Sequence, residues 1–380
     1  MTKLSRRKWM QATVGLASGA VISPALVHQL MAAPASEAER NFFLRRQEPV
    51  ISVRLNSNEN PYGPSAAARK AVNEILSEGN RYPFQVVTEM KQTLAAKEGL
   101  SPDHIAIGAG SGEMLCASGV AFGIEGGAVL SPYPTFPLMM SYAEVFRARW
   151  DKVDLNDKLE VDYTALAARV KDDTRLVFIC NPNNPTGTLV DPAIVRAFCE
   201  EVSKKVTVFS DEAYLEFLEP SSQVSMVDMV KNDKNIVVSR TFSKIYGLAG
   251  LRIGYLVGRP DLIRKISRYQ TGFTVSQAAI AAAKASLGDE AFMTMARKKN
   301  AEARKILTDY LDKKGFFYGK SHTNFVFIDT RGQAERLMKV LAERGIGIRV
   351  WDYAGKQWNR ISVGTADEMK LLVKNLEEIV

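Results

Sequence analysis

Cysteine is scarce here: Cys116, Cys180 and Cys199 are the only three among 380 residues. Three thiols do not make a disulfide framework, and the apolar neighbours of each point to buried, inert side chains. Repeats and low-complexity segments are absent, which excludes solenoid and fibrous designs. Apolar runs are short. The stretch from Ala12 to Val27 covers about 16 residues and contains glycine and serine, whereas roughly 20 apolar residues are needed to cross a bilayer. A stable membrane span is therefore not expected. Acidic residues are missing from positions 1–35, where Lys3, Arg6, Arg7 and Lys8 supply four of the formal charge of +8. The remaining +4 is scattered rather than striped, so a nucleic-acid partner is not expected.

What is present is ordinary for a soluble globular enzyme: 46% hydrophobic and 24% charged residues. The length suits one large domain plus a smaller one. The N-terminus reads as an address, with Ser5-Arg6-Arg7 before Lys8-Trp9-Met10, the weakly apolar run, and Ala33-Pro34-Ala35 as a candidate cleavage site. This resembles a twin-arginine export signal, which implies a protein exported in the folded state, with the periplasm as destination. An uncleaved N-terminal membrane anchor is the alternative. The expected division is an export signal at 1–35, an arm and substrate loop at 36–80, a large domain at 81–285 and a small domain at 286–380.

Through Gly258, short apolar runs alternate with helical patterns, as in a mostly parallel sheet covered by helices on both faces. Helices are expected from Glu113 to Ala121 and from Leu138 to Trp150, and helical periodicity runs from Asp261 to Lys313, long enough for more than one helix. A strand at Ile346–Val350 belongs to a C-terminal α+β part. Turn-forming clusters interrupt this pattern at Asn58-Glu59-Asn60-Pro61-Tyr62-Gly63-Pro64, Gly108 to Glu113, Ser131 to Phe136 and Asn181 to Gly187. Amides at Ser111 and Gly112, opening a helix, form an anion seat. Asp211 and Tyr214 fall just past a strand's C-terminal end, the edge at which open α/β sheets bind ligands.

One lysine gathers these pieces. Lys244 follows a β-rich run and precedes Gly247, Gly250 and Gly254, where backbone can approach a ligand closely. A lysine amine on ordered, partly desolvated backbone can form a Schiff base with an aldehyde. Ser243 and Arg252 add a hydroxyl and a guanidinium fork suited to a phosphate dianion. The cofactor these residues call for is pyridoxal phosphate. No metal is called for.

The strings NENPYG, NPNNPTG, DEAY, SRTFSK with GLAGLRIGY, and RISVG occur in one order and spacing. With them the chain resembles the fold-type I pyridoxal phosphate aminotransferases, in the histidinol-phosphate aminotransferase-like branch. The resemblance implies that Lys244 holds the cofactor and moves the α-proton, that Asp211 pairs with the pyridine nitrogen, and that Tyr214 and Asn184 hold the ring's phenolic oxygen. Phe136 would stack on the ring. Ser111, Gly112, Ser243 and Arg252 would hold the phosphate, with Tyr82 reaching it from a neighbouring subunit, which implies a homodimer. Arg360 would clamp the substrate carboxylate, and Tyr62 and Arg349 would face the substrate side chain. The implied reaction moves an amino group from an amino acid, aromatic or histidinol-phosphate-like, to a 2-oxo acid by a ping-pong mechanism. Another α-carbon reaction on the same scaffold (decarboxylation or elimination), or a non-catalytic binding protein, is the alternative.

Overall fold

A seven-stranded sheet forms the centre of the computed structural model, which describes residues 49–380. The first strand, β1 (Val53–Arg54), lies apart from it. The sheet is built from β2 (Ile105–Gly108), β3 (Ala128–Tyr133), β4 (Arg149–Asp154), β5 (Thr174–Cys180), β6 (Thr207–Asp211), β7 (Ile236–Thr241) and β8 (Gly254–Gly258), in the spatial order β2-β8-β7-β6-β5-β3-β4. Neighbours from β7 to β4 are parallel, and β8 alone runs against both of its neighbours. Helices α1 (Ala66–Ile75), α2 (Phe84–Glu98), α3 (Gly110–Gly123), α4 (Leu138–Val145), α5 (Tyr163–Ala168), α6 (Pro192–Val202), α7 (Val227–Lys231), α8 (Pro260–Ser267) and α9 (Gln277–Leu287) complete this part of the chain. Helix α10 (Glu290–Lys314) leads out of it, with Met293 and Ala296 in its core and Ala303, Leu307 and Leu311 in that of the C-terminal part.

Strand β5 shows why the sheet is covered on both faces. Val177 and Ile179 enter one apolar core, while Leu176, Phe178 and Cys180 enter another. Successive side chains of a strand point to opposite faces. A run apolar at every position must therefore be buried on both sides.

The C-terminal part has its own core. It consists of β9 (Phe325–Ile328), α11 (Ala334–Glu343), β10 (Ile346–Gly347), β11 (Arg349–Tyr353), β12 (Lys356–Ser362) and α12 (Ala366–Ile379). Strands β11, β12 and β9 form an antiparallel sheet, and β10 pairs with β1. Leu55, just after β1, is buried in the same apolar cluster as Leu337, Leu341, Ile361 and Leu372. The fold is thus a large α/β body with a smaller α+β part, as its sequence pattern suggests.

Several boundaries differ from expectation. The helix starting at Leu138 stops at Val145, and Arg149 to Asp154 is the edge strand β4 instead. Arg147 adopts a left-handed φ of 72° between them, which ends a helix. Helix α3 starts at Gly110, three residues before Glu113, so Ser111 and Gly112 lie inside its first turn. The stretch from Asp261 to Lys313 is three helices, restarted by the capping side chains of Ser276 and Asp289. The strand expected at Ile346–Val350 is split, because β10 pairs with β1 and β11 with β12. Among the described residues no helix is long and apolar enough to cross a membrane. The export segment at 1–35 lies outside the described residues.

Candidate active site

A cleft of about 1040 Å³, open to solvent, lies past the C-terminal ends of β5, β6 and β7. It is lined by Ser111, Gly112, Phe136, Asn184, Asp211, Tyr214, Ser243, Lys244, Arg252, Arg349 and Arg360. Eleven side chains or backbone positions singled out in the sequence thus meet in one place, although they span the chain from α3 to β12.

Lys244 sits three residues beyond β7, between Phe242 and Ile245, which are both buried in the sheet's core. These two anchors fix the loop. The lysine amine lies 3.4 Å from the carbonyl oxygens of Ser57 and Asn58 and 5.7 Å from the Tyr214 ring centre. Burial, helped by the positive charge of Arg360, pushes its pKa down to about 8, against the pull of Asp211 and Glu59. An amine near neutrality is both a nucleophile and a proton carrier.

Asp211 ends β6 and is buried, and among the described residues its Oδ1 has no hydrogen-bond partner. Burial raises its pKa to about 7, with Glu212 adding to the rise, while the Ala213 N–H and Lys244 oppose it. A buried, unmatched carboxylate oxygen costs free energy, and a protonated ring nitrogen is the kind of donor it lacks. Tyr214 is also buried, and burial raises its pKa well above the ordinary value, so it keeps its proton at neutral pH. Its oxygen accepts from the side-chain amides of Asn58 at 2.9 Å and Asn184 at 3.3 Å.

Arg360 reaches the cleft from β12. Nη1 donates to Asn184 Oδ1 at 2.8 Å and Nη2 to the Asn56 carbonyl at 3.0 Å, while the buried Nε has no partner among the described residues. Burial, with Arg349 nearby, lowers its pKa to about 10. The guanidinium lies 5.6 Å from the Trp351 ring centre and 5.5 Å from that of Phe325. Arg349 is exposed, opposite Arg360 in the β11–β12 ladder.

The other end of the cleft is an anion cradle. The first four N–H groups of a helix have no partner within it, so those of Ser111 and Gly112 at the start of α3 remain available. Arg252 Nη1 donates to Ser243 Oγ at 3.3 Å and to the Ala249 carbonyl at 2.9 Å, and Nη2 to the Ala109 carbonyl at 3.2 Å. Gly110 has φ 78°, and a Cβ there would overlap the Arg252 guanidinium. At Gly254 a Cβ would come within 2.5 Å of the Ser111 nitrogen. The backbone approach that cradles the anion requires glycine at both positions. These donors, the lysine amine and the orphaned Asp211 oxygen fit a phosphorylated pyridine aldehyde.

Two expected residues lie elsewhere in this chain. Tyr62 lines a separate small hollow with Asn300 and Asn324, and Lys299 stands 4.7 Å over its ring. The turn at Asn60–Gly63 directs it away from the cleft that Asn58 and Glu59 enter. Tyr82 is 71% exposed and packs against Phe84 and Phe273, both also exposed. Conversely, Ser57, Asn58 and Glu59 line the cleft without having been assigned a role from sequence. Their signal was the density of turn formers in the loop.

A lysine-centred cleft at the edge of a doubly covered sheet, with an anion cradle at one end and a buried arginine at the other, defines a carbonyl-handling transferase. The chain belongs to the aminotransferase class I and II family, which it matches over residues 50–376. It is 35% identical over 330 residues to the histidinol-phosphate aminotransferase of Moorella thermoacetica, covering 86% of this chain and 85% of the relative. It is 33% identical over 329 residues to an aromatic amino acid aminotransferase of Cutibacterium acnes, covering 87% and 93%. The structure of histidinol-phosphate aminotransferase from Sinorhizobium meliloti in complex with pyridoxal-5'-phosphate is similar at a TM-score of 0.80 and 27% identity, covering 96% of each chain.

Proposed function

We propose that Lys244 carries pyridoxal phosphate in this cleft and that the chain moves an amino group from an amino acid to a 2-oxo acid in two half-reactions. The enzyme is a pyridoxal phosphate-dependent aminotransferase. When bound, the cofactor supplies an aldehyde that condenses with amines and a protonated ring that accepts the electron pair left when the α-proton departs. The chain's own residues do the rest. Asp211 keeps the ring nitrogen protonated, Tyr214 and Asn184 hold the phenolic oxygen, and Phe136 covers one face. Ser111, Gly112, Ser243 and Arg252 hold the phosphate. Arg360 orients the substrate through its carboxylate, and the amine of Lys244, with its lowered pKa, takes the α-proton and returns it.

The observation that carries this assignment is the meeting of a desolvated lysine, an orphaned buried carboxylate and a helix-start anion cradle in one cleft. Borohydride reduction of the loaded protein, followed by peptide mass spectrometry, tests it. The cofactor mass should sit on Lys244, and a label on another lysine would contradict the assignment.

Substrate class, assembly and address complete the proposal. The exposed Arg349 and the Trp351 ring beside Arg360 suit an amino acid with an aromatic or anionic side chain, and the relatives include both histidinol-phosphate and aromatic aminotransferases. Tyr62 would contribute to substrate binding. The exposed cluster of Tyr82, Phe84 and Phe273 is covered by a second copy in a homodimer, from which Tyr82 reaches the partner's phosphate site. Sedimentation of wild type and Tyr82→Asp would test the dimer. Export by the twin-arginine route places the mature enzyme in the periplasm, and the intact mass of protein from a periplasmic fraction would reveal removal of residues 1–35.

A further inference from the structure

The direction of one hydrogen bond in the cleft is set by residues outside the assigned machinery. A phenol oxygen has one proton and two lone pairs. Both lone pairs of Tyr214 are engaged, by Asn58 Nδ2 at 2.9 Å and Asn184 Nδ2 at 3.3 Å. No acceptor for its proton is found among the described residues, so the proton is left to point into the cleft that Tyr214 lines.

That direction depends on which way round the Asn58 amide sits. Oxygen and nitrogen of an amide exchange places by a half-turn, and the reversed amide would offer Tyr214 an acceptor and draw its proton back into the protein. Ser362 decides between the two. Its hydroxyl, 1% exposed, accepts from the Asn58 backbone N–H at 2.8 Å and donates to Asn58 Oδ1 at 2.9 Å. Among the described residues that proton has no other acceptor, and an unmatched buried donor is costly. The half-turn is therefore closed to Asn58.

The backbone supports the same arrangement. Asn58 is 2% exposed and has φ 53°, a left-handed conformation that asparagine tolerates better than most residues. Its carbonyl accepts from Asn324 Nδ2 at 3.0 Å, so all four of its polar groups are in use. The charged and titratable groups facing Tyr214 are Arg360 from β12, Asp211 and Cys180 at the ends of β6 and β5, and Lys244. Arg360 favours loss of the phenol proton, but burial outweighs it, so the proton is present to be donated.

We infer that Asn58, oriented by Ser362, is a positioning residue that fixes the Tyr214 hydroxyl as a donor to the cofactor ring's phenolic oxygen. The inference rests on the reading that this cleft holds pyridoxal phosphate. A donated hydrogen bond favours the ionised form of the accepting oxygen, and so lowers the pH at which the bound chromophore loses its proton.

The test is the visible absorption of the cofactor-loaded protein, titrated with pH, in wild type, Tyr214→Phe, Asn58→Asp, Ser362→Ala and Ser362→Thr. Tyr214→Phe removes the donor. Asn58→Asp and Ser362→Ala should then move the titration midpoint up in the same direction, by roughly half to one pH unit for one hydrogen bond. Ser362→Thr keeps the hydroxyl and should restore the wild-type midpoint, which a merely structural defect would not predict. Should Asn58→Asp not fold, the Ser362 pair carries the test alone. A midpoint that moves in Tyr214→Phe but stays put in Asn58→Asp and Ser362→Ala overturns the positioning role and leaves the cofactor assignment standing. Failure of the wild type to take up pyridoxal phosphate overturns both.

Discussion

Replacing Asp211 with asparagine should stabilise the cofactor-stripped protein while weakening the loaded one. In the chain by itself the buried Asp211 has its pKa raised from 3.8 to about 7. An acid whose folded-state value exceeds its unfolded one stabilises the fold when protonated, and that contribution is lost as pH rises from about 4 to about 7. The difference of about three pH units corresponds to roughly 4 kcal/mol at about 1.4 kcal/mol per unit. At pH 4 the wild-type carboxyl is neutral and carries one unmatched donor, whereas the asparagine amide carries two, so the variant should have no stability advantage there. Between pH 4 and pH 8 the variant should gain about 3–4 kcal/mol on the wild type and overtake it. Denaturant unfolding of stripped protein from pH 4 to 8, at fixed protein concentration, measures this directly. The lead should reverse when the cofactor is bound, because the carboxylate then gains the donor that its Oδ1 lacks. A difference between variant and wild type that stays constant across that pH range would show that Asp211 titrates as an ordinary surface acid, and the reasoning would fail.

Other perturbations test other parts of the site. Gly110→Ala forces a side chain into a left-handed position and against Arg252; at about 1–2 kcal/mol for the backbone alone, cofactor affinity measured by fluorescence titration should fall at least several-fold. Arg360→Lys loses the fork and one charge-assisted bond, about 1.5–3 kcal/mol, so kcat/KM for the amino donor should drop roughly 10- to 150-fold with cofactor binding little changed. Arg240 is buried between Glu212, at 2.9 Å, and Glu216, at 3.1 Å, beneath the Asp211 strand end. Arg240→Leu leaves two buried carboxylates unpaired and should cost about 3–5 kcal/mol in denaturant unfolding.

The parts of this protein that were legible in its sequence are those whose physics is local. Strands β5, β6 and β7 read as continuous apolar runs because they are buried on both faces, and the ligand-bearing loops follow their ends in short strings of turn formers and polar residues. Strand β4 did not read as a strand. Its edge position tolerates Arg149, Asp151, Lys152 and Asp154, and a charged edge looks like the end of the preceding helix. The split of Ile346–Tyr353 into two strands is decided by partners nearly 300 residues upstream for one half and by the next hairpin strand for the other. Asn58 shows the same limit within the site: its loop was visible as ordered, but its role depends on Ser362, 304 positions away. Tyr62 held a motif position yet stands outside the cleft, and Tyr82, expected to act on a neighbouring subunit, also lies outside the cleft of its own chain.

The central claim, that Lys244 handles amino groups through a bound aldehyde cofactor, is tested most directly by the near-ultraviolet and visible spectrum of the purified protein during addition of single amino acids. The account predicts a coloured protein that bleaches with its amino donors and recovers on addition of a 2-oxo acid, and a Lys244→Ala variant that shows no such cycle. Consumption of an amino acid with no bleaching, and with no need for a 2-oxo acid, would contradict aminotransfer.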